Sequence, residues 1–334
     1  MKCTVLSDGA WGTALAMVLV ANGHQVSLWG PFADYLKEMS KTHRNPRFLP
    51  NVELPAELTL TADMRVAVDG AAMVVLASPS QYMRGTLRQL AAVARPAEVV
   101  YVNVAKGIET GTLMRQSELV RECLGDVRYV ALSGPSHAEE VARGIPTAVV
   151  VASASAAAAD VVQSAFMNET FRVYTSADVV GVELGGALKN IFALAAGICD
   201  GMGFGDNSKA ALITRGIVEM ARLGEALGGK PETFSGLSGV GDLIVTCVSR
   251  HSRNRHVGEA LGRGRSLAEI QAEMGLTVAE GVKTTISAYQ LAGKLDVSVP
   301  IISEIYDALY EGKDPRVAAR DLMLREAKPE GLKS

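Results

Sequence analysis

Cysteine is scarce in this chain. There are four in 334 residues, Cys3, Cys123, Cys199 and Cys247, far apart and with no CxxC pair. That spacing excludes a disulfide framework and a cysteine zinc site, and the four read as small buried hydrophobes in a reducing compartment. Aromatic residues are few as well, at 5%. There is no excess of positive charge: 33 Lys and Arg against 36 Asp and Glu give a formal charge of −3. A general nucleic-acid binder needs a net basic face, so that class drops out. No apolar run approaches transmembrane length, and the first strand is expected to begin at residue 2 or 3, which leaves no room for a signal peptide. A cytoplasmic globular protein without membrane insertion is expected. The length suits two domains, and a hydrophobic share of 48% with few aromatics suits an Ala/Val/Leu-rich α/β protein.

What is present begins with a βαβ unit. Residues 2–7 read as a strand, residues 8–14 as a small-residue turn, then a helix to about Asn22, a stop at Gly23 and a second strand His24–Trp29. The turn is a variant of the glycine-rich dinucleotide fingerprint, in which backbone N–H groups and a helix start cradle a diphosphate. Gly9, Gly12 and Ala14 stand where close approach needs small residues, but Ser7 takes the first glycine position. The competing reading is an ordinary βα turn. The second strand ends Trp29–Gly30–Pro31–Phe32, with neither acid nor arginine at its tip, so the choice between NAD and NADP stays open.

Further parallel strands are expected at Ala72–Ala77, Val99–Val104, Tyr129–Leu132 and Thr147–Ala152, with a last strand at Phe171–Thr175. The loops Ser78–Ser80, Ala105–Gly107 and Ser133–His137 follow three of them, at ends where open α/β sheets bind ligands. Lys106 is the most reactive group in these loops, with a solvated surface lysine as the alternative. His137 reads as a helix-capping residue rather than a base. Beyond about residue 180 the chain turns helical, with helices expected at Val182–Cys199, Ser208–Leu227, His256–Leu261, Leu267–Met274, Glu280–Leu291 and Pro300–Tyr310.

The stretch Gly181–Gly197 organises this second half. From Ala187 to Cys199 it is apolar except for Lys189 and Asn190, a pattern for a helix with no exposed face. Gly185 and Ala196 give Lys189 small neighbours, and Gly186, Asn190, Ala193 and Gly197 form a second small stripe. An ammonium there must be paired or lose its proton, unless the side chain snorkels to solvent. Asp242 follows the flexible Gly239–Gly241 turn. Locally it reads as a helix cap, and alternatively as a carboxylate partner for Lys189. Ser249–His256 reads SRHSRNRH. Three readings compete for it: a solvated charge run, a nucleic-acid patch, or a phosphate clamp built on arginine's planar fork. Together these features fit a hydride-transfer enzyme acting on a small phosphorylated alcohol or ketone, with the lysine exchanging a proton.

Eight motifs in order carry a family resemblance from residue 4 to about 325: GAWGTALA (Gly9–Ala16), NPRFLPNVELP (Asn45–Pro55), AKGIE (Ala105–Glu109), SGPSHAEE (Ser133–Glu140), LGGALKNIFALAAG (Leu184–Gly197), LITRG (Leu212–Gly216), GLSGVGDLIVTC (Gly236–Cys247) and SRNR (Ser252–Arg255). The chain resembles the soluble bacterial NAD(P)-dependent glycerol-3-phosphate dehydrogenases. The resemblance implies an N-terminal Rossmann-type dinucleotide-binding domain over residues 1–180 and an all-helical substrate and catalytic domain over residues 181–334. The implied reaction interconverts dihydroxyacetone phosphate and sn-glycerol 3-phosphate, mainly by reducing the ketone to supply phospholipid synthesis. NAD(H) or NADP(H) is the implied cofactor, a homodimer the implied assembly, and no metal is implied.

By position, the resemblance makes Lys189 the catalytic lysine, with Lys106 and Asp242 beside it. It assigns substrate contacts to Lys106, Gly134, Ser136, Lys189, Asn190, Asp242, Thr246, Ser252, Arg253 and Asn254, with Arg253 and Asn254 on the phosphate. It assigns cofactor contacts to Gly9, Ala10, Trp11, Gly12, Phe32, Lys106, Ala138, Arg253, Val278 and Glu280. The chain departs from the family at Ser7 and Asp8, where relatives have Gly-Ala. Asp8 adds negative charge near the diphosphate and implies weaker cofactor binding. Ala10 lacks a hydroxyl common in the turn, and Pro31–Phe32 replaces a basic residue suited to a 2′-phosphate. Two other readings compete: a related dehydrogenase with another substrate, and a redox-sensing nucleotide binder that has lost catalysis.

Overall fold

The computed structural model describes residues 1–93, 98–327 and 329–330; residues 331–334 of the expected helical domain lie outside the described residues. The chain forms two compact units. The first is Met1–Ala105 with Met114–Val179, and the second is Lys106–Leu113 with Val180–Ser334. A single boundary near residue 180 therefore misses one feature: eight residues following the expected strand Val99–Val104 belong with the helical unit.

Strands of the first unit are β1 (Lys2–Leu6), β2 (Gln25–Trp29), β3 (Arg44–Asn45), β4 (Leu49–Glu53), β5 (Thr59–Thr61), β6 (Met73–Leu76), β7 (Val100–Asn103), β8 (Arg128–Ser133), β9 (Thr147–Ala152) and β10 (Phe171–Ser176). Eight of them form one sheet in the order β10-β9-β8-β7-β6-β1-β2-β5, and β3 and β4 pair separately. Side chains alternate between two cores, as a period-2 pleat requires. Cys3, Val5, Met73, Val75, Val100 and Val102 face one core. Leu6, Val74, Leu76 and Tyr101 face the other. After β5 the chain crosses back to place β6 on the far side of β1, which creates a switch point between β1 and β6. The turn after β1 and the loop after β6 flank that crevice, where such sheets bind ligands.

One expected parallel strand is corrected. β9 (Thr147–Ala152) runs antiparallel to β8, and β10 runs parallel to β9. The connection between β8 and β9 holds only a four-residue helix, Ala138–Val141, too little for the crossover that a parallel return needs. The short strands β3, β4 and β5 carry no long apolar run that would announce them.

In the second unit the 23-residue helix Val179–Gly201 is the core element, with every residue from Leu184 to Ile198 buried. Contrary to the expectation that no apolar run approaches transmembrane length, it is long and apolar enough to cross a membrane, with a mean hydropathy of 1.5, but 83% of that window is buried inside the protein itself. The helices Asp206–Ala226, Arg253–Gly262, Leu267–Met274, Glu280–Lys294 and Pro300–Tyr310 surround it. Three more elements were not expected, Pro231–Phe234, a π-turn Leu237–Gly241 and Pro315–Met323, while the helix Asp242–Val248 is one that the local capping reading of Asp242 implied.

Glycines set how closely these elements pack. A Cβ on Gly197 would lie 2.0 Å from the Arg255 carbonyl oxygen, and one on Gly258 would lie 2.0 Å from that of Leu194. The helix Arg253–Gly262 therefore crosses the core helix backbone to backbone. Gly185 does the same for the π-turn, where a Cβ would lie 2.6 Å from the Ser238 carbonyl oxygen. Gly258→Ala should cost about 2 kcal/mol or more, since neither backbone can yield without moving a helix. Thermal unfolding tests this, and an unchanged melting temperature would refute the close-crossing argument.

Candidate active site

Two local constructions stand out, one in each unit. In the first unit the glycine-rich turn closes over the end of β1. Gly9 N-caps the helix Ala10–Ala21, so Ala10, Trp11 and Gly12 lie in its first turn, with backbone N–H groups directed out of the helix start. A Cβ at Gly12 would sit 2.4 Å from the Ser7 carbonyl oxygen and 3.2 Å from Ala77 Cβ, which explains glycine there. Ser7 holds φ +143°, a strained value for a residue with a side chain, and its Oγ accepts from Gly9 N–H at 3.2 Å. Asn45 buttresses this turn by donating from Nδ2 to the Asp8 carbonyl at 2.7 Å and to Thr13 Oγ1 at 2.9 Å. The pattern of residues gave no role to Asn45, although it opens the NPRFLP motif.

Phe32 N-caps the helix Ala33–Thr42 and is half exposed. In the loop after β8, Gly134 has φ +135° and sits against the Val149 backbone, so a side chain there is excluded twice over. Ser136 Oγ donates to the Gly134 carbonyl at 2.9 Å, and Ala138 begins the helix Ala138–Val141. The residues of this turn and loop fit a dinucleotide: a cradle in which Cβ atoms would collide, orphan helix N–H groups, and an unpartnered buried oxygen on Asp8.

In the second unit the sequence-expected residues converge. Lys189 is 6% exposed and Asp242 is 1% exposed. Lys189 Nζ donates to Asp242 Oδ1 at 2.8 Å and to Thr246 Oγ1 at 2.6 Å, while Lys106 Nζ donates to Asp242 Oδ2 at 2.7 Å. One carboxylate thus bridges two ammonium groups, and the cluster keeps one net positive charge. Asp242 begins the helix Asp242–Val248 without capping it, so the local capping reading is replaced by the ion-pair one. Lys189 is enclosed rather than snorkelling. Thr246 donates its own hydroxyl hydrogen to the Asp242 carbonyl at 2.6 Å, so towards Lys189 it acts only as an acceptor. Two of the three ammonium hydrogens of Lys189 are therefore committed, and the third vertex is directed away from both partners.

A second relay extends from this cluster. Asn190 Nδ2 donates to the Lys106 carbonyl at 3.0 Å, Asn254 Nδ2 donates to Asn190 Oδ1 at 2.9 Å, and Gly281 N–H donates to Asn254 Oδ1 at 2.9 Å. The relay ties the excursion Lys106–Leu113 to the start of the helix Arg253–Gly262 and to the turn carrying Val278 and Glu280. Within the SRHSRNRH run the arginines separate. Arg255 is bound by Asp200, which also holds Lys209, so it leaves the candidate clamp. Arg253 is exposed at the first turn of its helix, and Ser252 N-caps that helix by accepting from Arg255 N–H. Among the described residues no three His, Cys, Asp or Glu gather as a metal site.

The electrostatics follow from the geometry. Burial pushes the Lys189 ammonium down to about 8; Asp242 opposes this, and the Lys106 charge adds to it. Burial acts to raise Asp242, but the two ammonium groups outweigh it and hold the carboxyl below its usual range. Burial also pushes the Cys3 and Cys247 thiols up, to about 11 and 12, so both are unreactive hydrophobes. Cys123 and Cys199 are only partly buried.

Comparison with known proteins places this geometry. Residues 2–159 match the family model for the NAD-dependent glycerol-3-phosphate dehydrogenase N-terminus, and residues 178–320 match that for its C-terminus. The chain is 53% identical over 330 residues to the glycerol-3-phosphate dehydrogenase, NAD(P)+ type, of Thermoanaerobacter sp., covering 99% of each chain. It is 51% identical over 327 residues to that of Bacillus subtilis, covering 97% of this chain and 94% of the other. The crystal structure of glycerol-3-phosphate dehydrogenase from Coxiella burnetii superposes with a TM-score of 0.93 at 38% identity, covering 97% of this chain and 99% of that one.

The lowered Lys189 value carries a pH prediction. If Lys189 gives the proton, the reduction rate should fall as pH rises through about 8, and the oxidation rate should rise over the same interval. Thr246→Val removes an acceptor from the ammonium and should move both limbs to lower pH, whereas Thr246→Ser should restore them. Profiles of kcat/KM that stay flat across this interval would remove Lys189 as the titrating group.

Proposed function

The chain belongs to the NAD-dependent glycerol-3-phosphate dehydrogenase family, and from that premise we propose how its residues carry the reaction. It is an NAD(P)-dependent oxidoreductase that interconverts dihydroxyacetone phosphate and sn-glycerol 3-phosphate. When bound, the nicotinamide supplies the hydride exchanged with the substrate carbon. The protein supplies the proton. In reduction, Lys189 gives the proton at its third vertex to the forming alkoxide oxygen, and in oxidation neutral Lys189 takes it back. Asp242 stays ionised throughout and fixes Nζ. Lys106 keeps the local charge positive where negative charge develops on oxygen. Arg253, at the exposed helix start, binds the substrate phosphate through a charge-assisted bond, with the helix N–H groups adding to the same field. Gly134 and Ser136 remain proposed substrate contacts, and the turn Gly9–Gly12 with Phe32 and Ala138 the proposed nucleotide contacts of the first unit.

The observation that carries this reading is a nearly dry lysine, held by one carboxylate and one acceptor-only hydroxyl, with one direction left for a substrate oxygen. We propose ketone reduction as the main direction in the cell, supplying glycerol phosphate for phospholipids, in the cytoplasm and as a homodimer.

Oxidation of NADH or NADPH on addition of dihydroxyacetone phosphate tests the activity directly. Lys189→Ala should lower turnover by about 100-fold or more while nucleotide binding persists. A near-normal rate would take this lysine out of the mechanism. Arg253→Ala should raise KM for the ketone by roughly tenfold or more with little change in kcat. An unchanged KM would move the phosphate elsewhere.

A further inference from the structure

Dinucleotide domains of this kind commonly carry an acid at the tip of the second strand, about 20 residues beyond the glycine turn, for the ribose hydroxyls. Here that tip is Gly30. A Cβ built on Gly30 would lie 2.7 Å from both Cγ and Oδ2 of Asp8. The Asp8 side chain, arriving from the turn after β1, therefore fills the space a side chain at position 30 would take. The strands impose this arrangement: Leu6 pairs in register with Trp29, and Ser7 N–H donates to the Trp29 carbonyl at 2.9 Å.

Asp8 is positioned firmly but its carboxylate is not satisfied. Its carbonyl accepts from Asn45 and from Thr13 Oγ1, and Asn45 is in turn fixed by Tyr35 OH at 2.6 Å. The residue is 5% exposed, and Oδ2 has no hydrogen-bond partner among the described residues. A buried carboxylate oxygen without a donor is costly, so a fold that keeps one at a ligand crevice keeps an acceptor ready for a donor. Burial acts to raise the Asp8 carboxyl, offset in part by its own backbone N–H and by the Arg47 guanidinium. That guanidinium is itself stacked over Tyr35, 4.2 Å from the ring centroid.

We propose that Asp8 is the ribose-recognising carboxylate of this domain, transferred from the tip of β2 to the turn after β1, and that it selects NAD(H) over NADP(H). The inference rests on the dinucleotide reading of the first unit. A carboxylate can accept from a ribose hydroxyl. Toward a 2′-phosphate it offers only like charge in a poorly solvated place; Pro31 and Phe32 bring no cation to offset it, and the Arg47 guanidinium is held over Tyr35 and already acts on Asp8. Ser7 and Asp8 then form a working replacement for the usual small pair, and Gly30 is the glycine that makes room for it.

The test is binding, read without turnover. The protein's two tryptophans, Trp11 and Trp29, lie in the turn and next to Gly30. ADP and 2′-phospho-ADP, which lack nicotinamide, can be titrated by tryptophan quenching and by calorimetry alongside NADH and NADPH. The native protein should prefer ADP and NADH by at least roughly tenfold over their 2′-phosphorylated counterparts. Asp8→Asn, which keeps the shape, and Asp8→Ala should both remove most of that preference. Equal affinities in the native protein, or an unchanged ratio in Asp8→Asn, would overturn the assignment. Failure of all four ligands to bind the folded native protein would overturn the dinucleotide reading and this inference with it.

Discussion

The bridge from Asp242 to the buried Lys189 and the partly buried Lys106 is the interaction on which the helical unit depends. An ammonium as enclosed as Lys189 is tolerable only with a partner, and removing one partner from such a set leaves an uncompensated charge. Asp242 reaches the core helix because the π-turn Leu237–Gly241 lies against Gly185, where any side chain would collide with the Ser238 carbonyl. The glycine one turn below the lysine is thus part of the ion pair's construction. Asn190, the next residue on that helix, extends the order outward through Asn254 to Gly281. The start of the helix Arg253–Gly262 is fixed by that relay and by the backbone crossing at Gly197 and Gly258. The LKN, GVGD and SRNR motifs of the second half are one hydrogen-bonded object.

Much of this was legible in residues because its signals are local. A fully apolar helix interrupted by Lys-Asn, an acid after a glycine turn and an arginine run each stand out in a short window. The parallel strands β1, β2, β6, β7 and β8 are equally plain as apolar runs. What escaped depends on contacts between distant segments. The direction of β9 is set by the shortness of its connection, not by its own Val-rich sequence, which suits either direction. Lys106–Leu113 looks like any loop after a strand, and its membership of the helical unit comes from bonds such as Ser287 Oγ to the Ile108 carbonyl. Asp242 read locally as a cap because capping is the commoner use of an acid at a helix start. Arg255 and Arg253 are indistinguishable in sequence; two positions apart on a helix, they face different ways, so one meets Asp200 and the other solvent.

The same limit explains the reading of the first turn. By sequence Ser7 and Asp8 are two departures from a glycine-rich pattern, and both look like losses. In three dimensions Ser7 keeps the turn at a strained φ with its own Oγ on Gly9 N–H, and Asp8 meets the glycine that directly follows β2 and leaves room for it. Gly30, which by itself looked like a missing acid, is the complement of Asp8.

The presence of a second lysine beside Asp242 has its own physical logic. A lone carboxylate at 2.8 Å would stabilise the Lys189 ammonium and keep its proton bound far above neutrality. Burial pulls in the other direction, but burial alone would leave a costly charge without a partner. Lys106 resolves the conflict. By binding Oδ2 it takes up part of the carboxylate's field and adds like charge nearby, so Asp242 still fixes the position of Nζ without holding its proton tightly. Burial is the largest cause of the lowering and Lys106 adds to it, bringing Lys189 down to about 8, within reach of the proton exchange proposed for it in both directions. Thr246 completes this balance: being neutral and acceptor-only, it orients the ammonium without adding a charge to be overcome. A site with one lysine and one acid would be a stable ion pair. Two lysines sharing one acid keep the buried lysine paired while loosening the hold on its proton.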